Sequence, residues 1–296
     1  MNISVVIPVY KKVDQFITNL KQNVKFLNNC EIIIVNDDPS ESIASFLADF
    51  QHVTLIENKT NLGFAPTVNI GFSHAKNDSV LLLNSDVVLQ DDSYKKALLH
   101  FTDTSIFAIS FAQKEKNGEI VGKNKIYWEK GFFQHSKADN FYFGINGWAE
   151  GGSCLIDRKK FNILKGFDEI YSPFYWEDID LSYRAWKKGY VVLFDPSIVV
   201  EHHHESTIGS FFKKKMINQI AFRNQLFFIW KNITDVDLLI AHLFYLILFI
   251  LASIIKGDFV FLKAYFQALG RLPAILQKRR HNNFNHNDNE IISKFL

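Results

Sequence analysis

Ile3-Ser4-Val5-Val6-Ile7-Pro8-Val9 opens the chain as a run rich in β-branched residues and apolar on both faces, which predicts a strand in the middle of a sheet. Three more such runs follow at residues 31–35, 53–57 and 80–83, separated by helix-like stretches. That alternation predicts βαβ units, hence an α/β fold with a mostly parallel central sheet covered by helices on each side. In open sheets of this class ligands bind beyond the carboxyl ends of the strands, so function is expected in the segments just after each one.

Further on, residues 113–145 form a Lys-, Gly- and aromatic-rich stretch that predicts a long loop or a small hairpin over the site. Order returns with Ala149-Glu150-Gly151-Gly152-Ser153, a strand through Ile156 and a short helix. Trp176-Glu177-Asp178-Ile179-Asp180 then opens a helix ending near Gly189, and a last strand over 191–194 leads to His202-His203-His204. The chain has 296 residues, 48% hydrophobic and 22% charged, enough for one large core or two fused ones. A net charge of +2 gives no reason to expect a nucleic-acid partner. Cys30 and Cys154 lie far apart in apolar segments, as reduced buried thiols do. The first residues show neither a basic leader nor a cleavage site, so the N-terminal part is expected to stay in the cytoplasm.

Four of the strand-end segments carry unusual chemistry. In Asn36-Asp37-Asp38-Pro39-Ser40 a carboxylate at a strand end can accept the imide N–H of uracil or thymine, or simply cap a turn. Gly63, in Asn61-Leu62-Gly63-Phe64, lets backbone approach a ligand or serves as a turn residue. Asp86, in Asn84-Ser85-Asp86, suits a Mg²⁺ or Mn²⁺ ion whose other positions are filled by phosphate and water; turn chemistry explains it equally. Three carboxylates crowd Glu177-Asp178-Ile179-Asp180, where mutual repulsion would raise at least one pKa and suit a general base. Acidic residues also favour helix N-termini for their own sake. For the histidine triplet one functional imidazole is the economical reading, because zinc would need partner ligands at a suitable spacing.

Taken in order, Ser4-Val5-Val6-Ile7-Pro8-Val9-Tyr10, the Asp37 loop, Asn61-x-Gly63-Phe64, Asn84-x-Asp86, Gly166-Phe167-Asp168, Trp176-Glu177-Asp178-x-Asp180-Leu181 and His202 resemble a family 2 glycosyltransferase of the rhamnosyltransferase-like branch. The resemblance runs to about residue 232 and lies in the ordered set. It implies a GT-A fold and direct displacement with inversion. It implies that Asp37 binds the base, that Pro8, Val9, Tyr10, Asn61 and Gly63 line the nucleotide-sugar pocket, and that Asp86 and His202 ligate Mg²⁺ or Mn²⁺. Asp178 would be the general base, and Trp176 and Glu177 would face the acceptor. Two departures stand out: Asn84 replaces the first Asp of the usual Asp-x-Asp, and Pro66 and Thr67 stand where further glycines are common. Arg223-Asn224 resembles a family feature to which the sequence attaches no role.

The resemblance divides the chain into a catalytic domain over residues 1–205, with a nucleotide-binding half (1–110) and an acceptor half (111–205), and a helical region over 206–280. Residues 281–296, Asn-rich and without periodicity, are expected to be mobile. Residues 238–255 are apolar nearly all round and would make a helix of about 27 Å against a ~30 Å hydrocarbon core. A more polar helix follows, ending in Lys278, Arg279 and Arg280, and a single crossing would strand that cluster outside. Two helices embedded in the cytoplasmic leaflet, with the basic residues on anionic headgroups, are therefore expected, in peripheral or monotopic attachment. A packed helical pair is the alternative. Such an enzyme would use a dTDP- or UDP-sugar, dTDP-rhamnose among them, and a saccharide or lipid-linked saccharide acceptor. The competing functions are an inactive membrane-bound scaffold and a nucleotide-sugar nucleotidyltransferase; the latter would need a Gly-rich phosphate loop where Val9-Tyr10-Lys11 stands.

Overall fold

The computed structural model describes residues 2–50, 52–202, 209, 211–280 and 284–296. Its first half alternates β1 (Ile3–Val9), α1 (Val13–Asn23), β2 (Glu31–Asn36), β3 (Val53–Glu57), α2 (Phe64–His74) and β4 (Ser79–Leu83). β4, β1, β2 and β3 lie side by side and all run parallel. The two-sided hydrophobicity of β1 has a direct cause. Val5, Ile7 and Val9 pack in one layer with Phe16 and Leu20 of α1, while Val6 faces the other layer with Val68 and Phe72 of α2. Gly71 lets α2 settle on the sheet, since a Cβ there would lie 2.3 Å from Val6 Cγ1.

The second half is mixed. It contains β5 (Val87–Leu89), β6 (Ile106–Lys114), β7 (Ile120–Val121), β8 (Asn124–Glu129), β9 (Phe132–Lys137), β10 (Gly144–Ile145), β11 (Ser153–Asp157), α3 (Arg158–Ile163), α4 (Glu177–Lys187) and β12 (Val191–His202). β11 inserts antiparallel between β4 and β6, and β12 runs parallel to β6, completing a ten-stranded sheet. β8 and β9 form a separate hairpin within the stretch expected to be loop or hairpin. The last strand, expected over 191–194, runs on to His202 after a register shift between Asp195 and Val199. That extension carries the imidazole back to the sheet's functional edge.

Five helices close the described chain: α5 (Lys214–Asn232), α6 (Val236–Lys256), α7 (Phe259–Gly270), α8 (Leu272–Arg280) and α9 (Asp288–Ser293). Among the described residues α6 is the one single helix long and apolar enough to cross a membrane, with mean hydropathy 2.7; α7 and α8, bent by 57°, pass the same test only as a pair. One face of α6 is docked. Leu238, His242 and Leu246 are buried, His242 Nε2 accepts from Trp230 Nε1 at 2.9 Å, and its Nδ1 therefore donates to Gly131 O at 2.7 Å. The other face exposes Ile240, Leu243, Phe244, Ile247, Leu248 and Leu251.

Two expectations need correcting. Of the basic residues assigned to headgroups, Lys278 pairs with Asp168 of the catalytic domain at 2.9 Å and Arg279 donates to Trp230 O of α5 at 3.0 Å, so both are engaged within the protein. Within the tail expected to be mobile, residues 284–296 are docked instead. Asp288 is fully buried and accepts from Lys187 Nζ (2.8 Å), Tyr183 Oη (2.5 Å), Thr234 N (2.6 Å) and Asp235 N (2.9 Å). Polar residues there satisfy buried donors instead of building an apolar face, so no periodicity marks them.

Candidate functional site

A cleft of about 390 Å³ opens beyond the carboxyl ends of β1, β2 and β4. It collects Pro8, Val9, Tyr10, Asp37, Asn61, Gly63, Asp86, Glu177, Asp178 and His202, drawn from segments up to 194 residues apart in sequence. Each arrives by the end of a strand or the start of a helix.

Asp37 follows β2 and is buried. Its carboxylate accepts from Asn58 Nδ2, Leu62 N and Gly63 N, all at 2.8 Å. A carboxylate offers about four acceptor positions, so the protein occupies most of them, and Asp37 acts first as the brace of the 61–63 loop. Gly63 has φ +89°, and a Cβ would meet Pro173 O at 3.1 Å. Its freedom serves the close approach of two rims of the cleft, which Phe64 N fastens by donating to Pro173 O at 3.2 Å.

Across the cleft, Asp86 Oδ1 and His202 Nε2 stand 3.2 Å apart. Two ligands in neighbouring octahedral positions, each about 2.1 Å from an ion, are separated by about 3 Å, so the pair fits a hard divalent cation. Among the described residues no group of three or more His, Cys, Asp or Glu forms a metal cage. Two protein ligands with phosphate and water completing the shell is the pattern Mg²⁺-type ions favour. His203 and His204 lie outside the described residues.

Behind His202 stand residues that sequence reasoning missed. Gln113 Oε1 is 2.5 Å from His202 Nδ1, Gln113 Nε2 donates to Glu150 Oε2 at 2.5 Å, and Asn124 Nδ2 donates to Glu150 Oε1 at 2.8 Å. Gly152 leaves room for the ring, since a Cβ would lie 3.0 Å from His202 Cε1. The signal available was Glu150-Gly151-Gly152, a charge and two glycines leading into an apolar strand.

The acidic start of α4 resolves into three different fates. Asp180 is fully buried and accepts from Tyr171 Oη (2.8 Å), Asn232 Nδ2 (2.7 Å) and Arg184 Nε (2.8 Å), with Lys231 Nζ at 2.8 Å. Burial by itself would raise its pKa, but Lys231 and Arg184 outweigh it and hold the carboxyl low. Glu177 is buried with Oε2 unpartnered, and burial followed by the charge of Asp178 pushes it well up. Asp178 is pushed up to about 6, chiefly by burial and further by Glu150, against the pull of backbone N–H groups such as Ile179 N at 2.8 Å. A carboxylate poised near neutrality in a cleft is suited to accept a proton.

Trp176 departs from expectation. It is 5% exposed and packs against Phe133, Phe228 and His135, so it does not line the cleft; Tyr175 does. Tyr175 and Trp176 both have positive φ, 72° and 78°, and this left-handed step turns the indole into the core. Such conformations cost about 1–3 kcal/mol each and persist only where the surroundings enforce them. Asn224 of α5 does so, its Nδ2 donating to the carbonyls of Tyr171 (2.8 Å), Phe174 (3.0 Å) and Tyr175 (2.8 Å), while Arg223 Nη2 donates to Ser172 O at 2.7 Å. The Arg-Asn pair that the sequence left without a role thus braces the turn that presents Glu177 and Asp178.

Comparisons with known proteins bear on the family and the fold. Residues 4–163 match the model of glycosyl transferase family 2. Over 63 residues the chain is 40% identical to the N-acetylglucosaminyl-diphospho-decaprenol L-rhamnosyltransferase of Mycobacterium tuberculosis, a match that spans 21% of this chain and only 20% of that relative's length. In structure it resembles GalNAc-T7 solved with UDP, GalNAc and Mn²⁺, with a TM-score of 0.62 at 14% identity over 78% of this chain and 48% of that one. It also resembles the mannosyltransferase PcManGT of Pyrobaculum calidifontis in complex with GDP-Man and Mn²⁺, with a TM-score of 0.54 at 12% identity over 94% and 85% of the two chains. At these identities the structural likeness speaks for a shared GT-A fold. With the family model spanning more than half of its length, the chain belongs to glycosyl transferase family 2.

Proposed function

We propose that the protein is an inverting transferase that moves a sugar from a dTDP- or UDP-sugar, dTDP-rhamnose among the candidates, to a hydroxyl of a saccharide or lipid-linked saccharide in cell-surface polysaccharide synthesis. One observation carries this reading. Asp86 and His202, 3.2 Å apart, share a cleft with a carboxyl, Asp178, whose pKa is pushed up to about 6.

Pro8, Val9 and Tyr10 wall the nucleotide end, and Asp37 supports it by bracing Leu62 and Gly63 beside Asn61, with acceptor capacity left for a base imide. Asp86 and His202 would hold Mg²⁺ or Mn²⁺, which when bound neutralises charge on the departing diphosphate. Asp178 takes the proton of the acceptor hydroxyl. The oxygen then forms its bond to the anomeric carbon from the face opposite the leaving group, and the electron pair of the breaking C–O bond departs with the diphosphate. Glu177, held neutral, is a hydrogen-bond donor beside the acceptor. The M. tuberculosis relative, by its name, acts on a polyprenyl-diphosphate acceptor. An acceptor of that class suits attachment through α6, one face docked on the protein and the other presenting Leu243, Phe244, Ile247 and Leu248 to the cytoplasmic leaflet. A helix docked along one side lies in the interface more readily than it crosses.

The test is a panel of UDP- and dTDP-sugars scored by thermal stabilisation and by transfer or donor hydrolysis, with and without Mn²⁺. One donor should stabilise the protein and turn over only with Mn²⁺, and Asp86→Asn should abolish both effects. If no donor stabilises it or reacts, the scaffold reading replaces this one. Leu243→Gln with Ile247→Gln should release the protein from vesicles containing anionic lipid; unchanged flotation would sink the membrane assignment.

A further inference from the structure

We infer that Gln113 and Glu150 are positioning residues that keep a proton on Nδ1 of His202, which reserves Nε2, the nitrogen beside Asp86, for a bound cation; that use of Nε2 rests on the cation reading above. The argument starts at Glu150. Both of its oxygens sit against side-chain amides, Asn124 Nδ2 at 2.8 Å and Gln113 Nε2 at 2.5 Å. An ionised carboxylate only accepts, so the Gln113 amide is obliged to turn its NH₂ toward Glu150. Its oxygen then faces His202 Nδ1 at 2.5 Å. A carbonyl oxygen also only accepts, so Nδ1 carries a proton, and Nε2, 3.2 Å from Asp86 Oδ1, is the ring nitrogen left for a cation held beside that carboxylate.

The opposite tautomer would spend the imidazole on a hydrogen bond to Asp86 and remove both atoms from a ligand set. The relay selects between these two uses of one side chain. A glutamine suits the middle position because it transmits orientation from Glu150 to His202 without adding a charge beside either. Gln113 is fully buried and does not line the cleft, so its influence on anything bound there passes through its partners His202 and Glu150, which do. Outer-shell partners of this kind typically alter metal affinity 10- to 100-fold.

The experiment reads the ring nitrogens directly. In ¹⁵N-imidazole spectra of the metal-free protein at pH 8, His202, assigned by the signal lost in His202→Gln, should show a protonated Nδ1. Glu150→Gln, which frees the Gln113 amide to flip, should introduce the Nε2–H form, and Gln113→Leu should lose the preference. Mn²⁺ affinity in the presence of UDP, followed by electron paramagnetic resonance, should fall about 10- to 100-fold in Gln113→Leu. An unprotonated Nδ1 in the unsubstituted protein overturns the inference without recourse to any variant. So does a Gln113→Leu protein with unchanged tautomer and unchanged Mn²⁺ affinity. An Nδ1–H signal in a protein that takes up no Mn²⁺ with UDP upholds the relay and refutes the cation site.

Discussion

Helix α4 faces two regions that treat its carboxylates in opposite ways. On the cleft side burial pushes both Asp178 and Glu177 up, helped by the charge of Glu150 at the first and of Asp178 at the second. On the far side Asp180 belongs to a buried ion cluster with Lys231, Arg184 and Asp168, where burial is outweighed by positive charge and both carboxyls are held low. Residues two apart in sequence thus differ in protonation behaviour because of what the rest of the fold supplies as partners. On the mechanism proposed above, proton transfer uses the under-partnered side, and the over-partnered side holds that side in place.

Several measurements would break or sharpen this contrast. The largest effect is expected from Asp178→Asn, with a loss of about 10²–10⁴ in kcat while donor affinity persists; near-normal turnover would remove Asp178 from the base role. Its pH dependence separates the two regions. Since the base must be ionised, kcat/KM should fall about tenfold per unit below pH 6 and level off above it. Asp168 and Asp180 have lowered folded-state pKa values, so the stability they contribute is present above the ordinary carboxylate range and is lost only as pH falls through those lower values. At pH 5 the protein should therefore be folded by circular dichroism with kcat/KM down to about a tenth of its plateau. Joint loss of structure and activity would contradict the division.

Next in size is Lys231→Met, which strips Asp168 and Asp180 of their shared cation and should cost about 3–5 kcal/mol by denaturant unfolding. Asn224→Ala removes the donor to three carbonyls of the strained 171–175 turn and should cost about 1–3 kcal/mol, with a raised acceptor KM as the mark of a displaced Tyr175. Lys278→Ala breaks a pair whose lysine side chain is 45% exposed and should stay within about 1 kcal/mol.

The parallel half of the sheet was legible because its strands are buried on both faces and read as unbroken apolar runs. β6 escaped notice because Ser110 and Gln113, both fully buried, interrupt its pattern for the sake of polar partners at the site. The cleft residues were found through types and order, which a strand-end site preserves in sequence. Trp176 was misplaced because its direction depends on two left-handed residues that no composition announces. Glu150, Gln113 and Asn224 act through geometry among distant segments, and a linear pattern does not record such distances. The docking of Asp288 was hidden for the same reason.

That docking has a practical consequence for anyone engineering a soluble version of the enzyme. Trimming the chain after Asn232 would discard its apolar helices, and with them the carboxylate that meets Lys187, a lysine with no exposed surface. Recoding the outward face of α6 with polar residues leaves that stitch intact, so a redesigned surface is the better route to reducing the exposed apolar area.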